Sequence, residues 1–217
     1  MNVIGNFRLI RRLVQLYVGL VLYGVGSALM IEANLGLDPW SVFHQGLSRR
    51  TGLSIGTVTI LVGAAVMLLW IPLRQRPGLG TVSNVVVIGL ALDAALAALP
   101  TVAPIAGRIG LLAAGIVLNG VATGLYIGAR FGPGPRDGLM TGFVSLRPGR
   151  SIRAVRTTIE LTVLATGWLL GGTVGLGTVA YAVAIGPLAH VFIPMFTVAL
   201  DSRGQTAEPS VLPPSRP

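Results

Sequence analysis

The sequence predicts an all-α polytopic membrane protein: six transmembrane helices as two inverted three-helix repeats, each with a short Gly-Pro half-helix. Three observations predict it. Of 217 residues, 53% are hydrophobic and only 11% charged, against about 25% charged in an average globular domain, so lipid stands in for much of the usual water. Six apolar segments approach the ~20 residues a helix needs to cross a bilayer. The segments also repeat themselves at an offset of 96 to 97 residues.

In chain order, a basic N-terminus (1–12) precedes the first repeat (13–99), with spans at 13–31, 55–73 and 81–99. A connector (100–107) leads to the second repeat (108–200), with spans at 109–129, 155–171 and 178–200. The first run is long for a signal peptide and has an internal counterpart that cannot be a cleaved leader. The tail, 201–217, is polar and rich in Pro and Ser, a composition for disorder. All sixteen basic residues are Arg. With the N-terminus inside, thirteen of them fall in inner segments, and only Arg49, Arg50 and Arg108 outside. That bias places both termini in the cytoplasm of a bacterial inner membrane. The Arg residues lie between apolar runs and leave no soluble face for nucleic acid, and zero Cys removes disulfides and thiol chemistry.

The repeat is read residue by residue. GLVLYGV from Gly19 returns as GIVLNGV from Gly115, Gly36 and Pro39 as Gly132 and Pro135, and Ser54-Ile55 as Ser151-Ile152. GLGTV from Gly78 returns from Gly175. An odd number of spans per unit inverts the second copy, an arrangement typical of secondary transporters.

Each half has a short Gly-Pro segment after its first span. In the first, Asp38 can cap a helix that Pro39 begins; in the second, Pro135 is placed likewise, beside Gly132 and Gly134. About ten helical residues are too few to cross, so each segment either lies on the interface, with Trp40 and Phe43 as anchors, or dips inward. An inward half-helix would present unpaired N–H groups suited to an anion, reinforced by Arg136.

Gly19, Gly24, Gly115, Gly120 and Gly124 give small faces to the first helix of each repeat, suited to close packing. Ionisable groups in spans are costly and need a reason. Asp93 and His190 each lie thirteen residues into equivalent spans, so helical rise brings them to about 6–10 Å of each other in height; in a shared cavity they would carry a coupling proton, and otherwise Asp93 faces the outer interface and His190 is a satisfied interior residue. Glu160 follows Arg156 by four residues on one helix face, a structural pair or a gate. Asn119 and Tyr23 match across the repeats as polar groups within the bundle.

GLGLDPWSVFHQGLS, GPGPRDGLM with SIRAVRTTIE, and GWLLGGTVGLGTVAYAVAIGPL resemble the YczE-like group of bacterial integral membrane proteins, related to the YitT family. The resemblance implies a small polytopic inner-membrane protein and transfers no substrate. Where relatives carry an acid after the Trp of the first motif, this chain has Ser41, opposite Asp137.

The expectation is a secondary transporter or exporter of a small solute of anionic character. Its substrate-binding or gating residues would be Asp38, Trp40, Asn119, Arg136, Asp137 and Glu160, with Asp93 and His190 for proton coupling. The alternative is a non-transporting scaffold or regulator that binds a partner assembly. Enzyme motifs are lacking, and no metal or cofactor is called for. The expected partners are membrane lipid, the solute and a second copy in a homodimer, with no nucleic acid.

Overall fold

The computed structural model describes residues 3–146, 149 and 151–198, and among these residues the regular structure is entirely helical. There are eight helices: α1 (Val3–Ala33), α2 (Pro39–Thr51), α3 (Ile55–Leu69), α4 (Leu79–Ala98), α5 (Ile105–Gly128), α6 (Pro135–Ser145), α7 (Ile152–Leu169) and α8 (Leu176–Phe196). Stretches Phe7–Ala33, Leu79–Ala98, Ile105–Gly128 and Leu176–Phe196 are long and apolar enough to cross a membrane. The pair α2 and α3, bent by 113°, adds a fifth when counted as one broken span. The count of six is not reached on length and composition, because α3 ends at Leu69 after 15 residues and α7 carries Arg153, Arg156 and Glu160. Helix α1 begins within the basic segment expected to precede it, since nothing between Val3 and Ala33 stops a helix. The tail 201–217 lies outside the described residues.

Helices α1 and α5 form the centre, antiparallel, with Leu16, Leu20, Ala122 and Tyr126 in one buried cluster and Met30, Leu112 and Ile116 in another. Two arginines staple the pair. Arg12 Nε and Nη2 donate to the carbonyls of Ala129 (2.9 Å) and Arg130 (3.0 Å). Arg108 Nε and Nη2 donate to those of Ala33 (2.8 Å) and Asn34 (2.6 Å). Each thereby satisfies terminal carbonyls that a helix leaves open, and the two sets are related by the same 96-residue offset.

The backbone repeats with equal fidelity. Among the described residues, left-handed φ occurs at Asn34, Gly36, Gly52 and Arg74, and at Arg130, Gly132, Gly149 and Gly171. Every member of the first set has its partner in the second at an offset of 96 or 97. Thr81 Oγ1 accepts from Gly78 N–H at 3.2 Å and Thr178 Oγ1 from Gly175 N–H at 3.3 Å, so each GLGTV motif starts a helix.

The glycines sit where backbones meet. A Cβ on Gly19 would lie 2.8 Å from Tyr126 N, one on Gly115 2.7 Å from Gly26 O, and one on Gly24 2.7 Å from Ile88 O. Gly120 and Gly124 meet Leu188 and Phe192 of α8 just as closely, at 2.7 Å. Gly124→Leu, whose side chain would have to enter the α8 backbone, is expected to abolish the monodisperse size-exclusion peak of the purified protein; a normal peak and unchanged melting would contradict this packing.

Candidate functional site

The connectors after α1 and α5 do not run across the surface. Gly177 N–H donates to Leu35 O at 2.8 Å, and Gly80 N–H to Phe131 O at 2.9 Å, so each connector is hydrogen-bonded to the first turn of a helix from the other half. A Cβ at Gly36 or Gly132 would be 2.7 Å from Gly175 N or 3.0 Å from Thr81 Oγ1, and the left-handed backbone there also favours glycine. Both chains then turn inward.

The two half-helices consequently begin inside the bundle, with their N-termini facing each other. Asp38 accepts from Ser41 N–H at 3.2 Å as the cap of α2 and is 2% exposed. Its Oδ1 lies 3.5 Å from Nη1 of Arg136 in the first turn of α6. The guanidinium carbon is 5.3 Å from the Trp40 ring centre and 5.9 Å from that of Tyr23, a cation–π arrangement on two faces. Two expectations meet here: Asp38 caps, and Arg136, counted among the loop charges, is internal.

Around this pair lies a cavity of about 440 Å³, within the range of ligand sites. Asp38, Trp40, Arg136, Asp137 and Glu160 all line it. Asn119 does not: it is fully buried between α1 and α5, with its Nδ2 3.8 Å from Met30 Sδ. It sits where the central helix pair meets, with its Oδ1 buried and without a hydrogen-bond partner among the described residues. Arg156 Nε donates to Glu160 at 3.0 Å across the cavity-facing side of α7.

Asp93 and His190 do not face one cavity. Asp93 accepts from Ser54 Oγ at 2.5 Å and Gly56 N–H at 2.8 Å, holding the start of α3 against α4. His190 is exposed and does not line the cavity. Counting residues into a span gives height but not the direction a side chain points. Asp93→Asn is expected to cost about 1 kcal/mol of stability, the worth of a helix cap, and His190→Gln almost nothing, both read by thermal melting.

The cavity also holds groups the sequence reading passed over. Tyr126 and Tyr181 line it, and Tyr181 Oη is 3.4 Å from Tyr23 Oη. Asn84 lines it too and occupies the position of Tyr181 at the 97-residue offset, a polar pair in otherwise apolar helices that the repeat alignment could have exposed. Behind Trp40, His44 is buried with its Nδ1 3.1 Å from Thr59 Oγ1.

Both half-helix N-termini already carry carboxylates of the chain itself, Asp38 on α2 and Asp137 in the first turn of α6. The positive ends that were expected to hold an anionic solute are thus neutralised internally.

Residues 10–194 match the model of a family of unknown function, DUF6198. An uncharacterised protein of Haemophilus influenzae is 41% identical over 178 residues, covering 82% of this chain and 81% of that protein. The uncharacterised membrane protein YczE of Bacillus subtilis is 32% identical over 203 residues, 90% of this chain and 94% of that one. YyaS of the same organism is 26% identical over 182 residues, 82% and 90%. No solved structure matches.

Proposed function

The chain belongs to the DUF6198 family, is YczE-like, and we propose that it is a small secondary carrier in a bacterial inner membrane, moving a small solute by alternating access. In this reading α1, α3, α4, α5, α7 and α8 are six spans, α2 and α6 are re-entrant half-helices, and both termini are cytoplasmic. The matched staples, left-handed residues and connector bonds support two inverted halves related by a dyad. Conformational exchange between such halves is what transports in related architectures.

One observation carries the proposal: the halves match in their local contacts and differ in how they close. Helices α3 and α4 pack closely, whereas their equivalents α7 and α8 touch far less. The sequence explains this. A Cβ on Gly89 would meet Gly56 O at 2.6 Å, and Asp93 ties the same two helices; at the equivalent positions stand Arg153 and His190, and Gly186 has open space before it. The cavity reaches between α7 and α8, past Ile185, Ala189 and Ile193, toward the end that bears the termini.

The other end is sealed. A Cβ on Gly46 would lie 2.6 Å from Gly167 O, Thr173 N–H donates to Gln45 Oε1 at 2.7 Å, and Arg49 donates to the Gly171 carbonyl. One closed end, one open end and a cavity lined by charged and aromatic side chains between them make the arrangement expected of one state of a carrier.

The test uses the absence of Cys in the chain. A single Cys at Asn84 should react with a charged thiol reagent from both sides of a proteoliposome membrane. A Gln45→Cys, Thr173→Cys cross-link should remove reactivity from the sealed side alone. Reactivity from one side only, with or without the cross-link, would contradict the proposal and favour a scaffold.

A further inference from the structure

We propose that the cavity binds a small organic cation, a compound bearing an amine or quaternary ammonium group. The inference deepens the carrier reading and rests on it for the cavity's purpose, though not for its chemistry.

The charges lining the cavity are Asp38, Arg136, Asp137, Arg156 and Glu160. Asp38 is engaged by Arg136 and by the α2 N-terminus. Glu160 is paired with Arg156, whose Nε lies 3.0 Å from its Oε1. The cavity lining therefore sets three carboxylates against two guanidiniums, an excess of one negative charge. The two helix N-termini together offset about one charge, so the attraction for a cation is local, at the carboxylate that lacks a partner. Asp137 has no ion-pair partner among the described residues.

The walls are of the matching kind. Tyr23, Trp40, Tyr126 and Tyr181 line the same space, and aromatic faces attract cations, quaternary ammonium groups most characteristically. The chain already displays the interaction, because the Arg136 guanidinium rests over the Trp40 and Tyr23 rings beside Asp38. Tyr126 and Tyr181 remain for a second cation, with Asp137 as its counter-charge. An anion would face the unpaired Asp137, with both N-termini already occupied.

The probe is radiolabelled tetraethylammonium, whose charge is permanent, in equilibrium dialysis against the full-length protein in detergent. Choline is expected to compete, 3,3-dimethyl-1-butanol, its uncharged analogue of the same shape, to compete at least about tenfold more weakly, and benzoate not at all. Asp137→Asn should weaken binding by about tenfold, the effect of one lost charge contact in a partly desolvated site. The competition series needs no variant, so a misfolded variant does not spare the proposal. Equal competition by choline and its neutral analogue, displacement by benzoate, or no saturable tetraethylammonium binding would each overturn it. Binding without flux of the same cation in proteoliposomes would defeat the carrier reading and leave the cation site standing.

Discussion

Replacing Arg136 by Ala is expected to destabilise the protein by about 3 kcal/mol, the low end for breaking a buried ion pair, because the arginine borders the cavity while Asp38 is 2% exposed. The loss leaves a carboxylate inside the bundle with only the α2 cap to hold it and removes a cation from two aromatic faces. Adding Asp38→Asn to the Arg136→Ala protein should recover much of the stability, since an Asn can still cap α2. Chemical denaturation in a mild detergent measures both. A double variant no more stable than the single one would show that the Asp38–Arg136 contact does not organise the meeting point of the half-helices.

Trp70→Ala is expected to cost still more, about 3–5 kcal/mol as for a large aromatic truncated in a core. Trp70 is 2% exposed, its ring lies directly on Gly138, and its Nε1 donates to Pro135 O at 3.0 Å. It therefore fixes α6 from below, where Gly142 also meets Leu73. At the equivalent place in the other half the sizes are reversed, with Val42 on α2 against Gly167 and Gly172. The exchange of large and small lets α2 lie directly on α7, while a tryptophan separates α6 from α3. Trp70→Gly with Gly138→Val copies the first pattern into the second half. That double variant should favour closure at the end bearing the termini, read as reduced thiol labelling of a Cys at Asn84 from that side. Unchanged labelling would show that the Trp70 wedge does not set the resting state.

Much of this was legible in the chain because the repeat is written in residues with narrow conformational tolerance. Gly36 and Gly132 match because both take a left-handed turn against the opposite half, and Thr81 and Thr178 because both cap a glycine-led helix. Spacing in an apolar sequence also gave the close helix contacts at Gly24 and Gly120. The staples Arg12 and Arg108 were hidden, since as loop charges they look like topology signals and their carbonyl partners are ordinary residues. Asn119 looked functional because a polar side chain in a span is costly, yet it is buried where α1 meets α5 and does not line the cavity. The anionic preference inferred for the half-helix termini left out a related point. A helix end attracts a negative charge, and the chain supplied its own at Asp38 and Asp137.

The central claim, that two matching halves exchange their states of closure, is tested most directly by distances between paired spin labels. Cysteines at Leu61 and Ala94 report on α3 and α4, and those at the equivalent Thr158 and Val191 report on α7 and α8; all four residues are exposed. In membranes the first pair should be mainly close and the second mainly wide. Gly46→Leu, which denies α2 its seat on Gly167, should widen the first distribution and shorten the second together. One fixed distance for each pair, unmoved by Gly46→Leu, would contradict the claim.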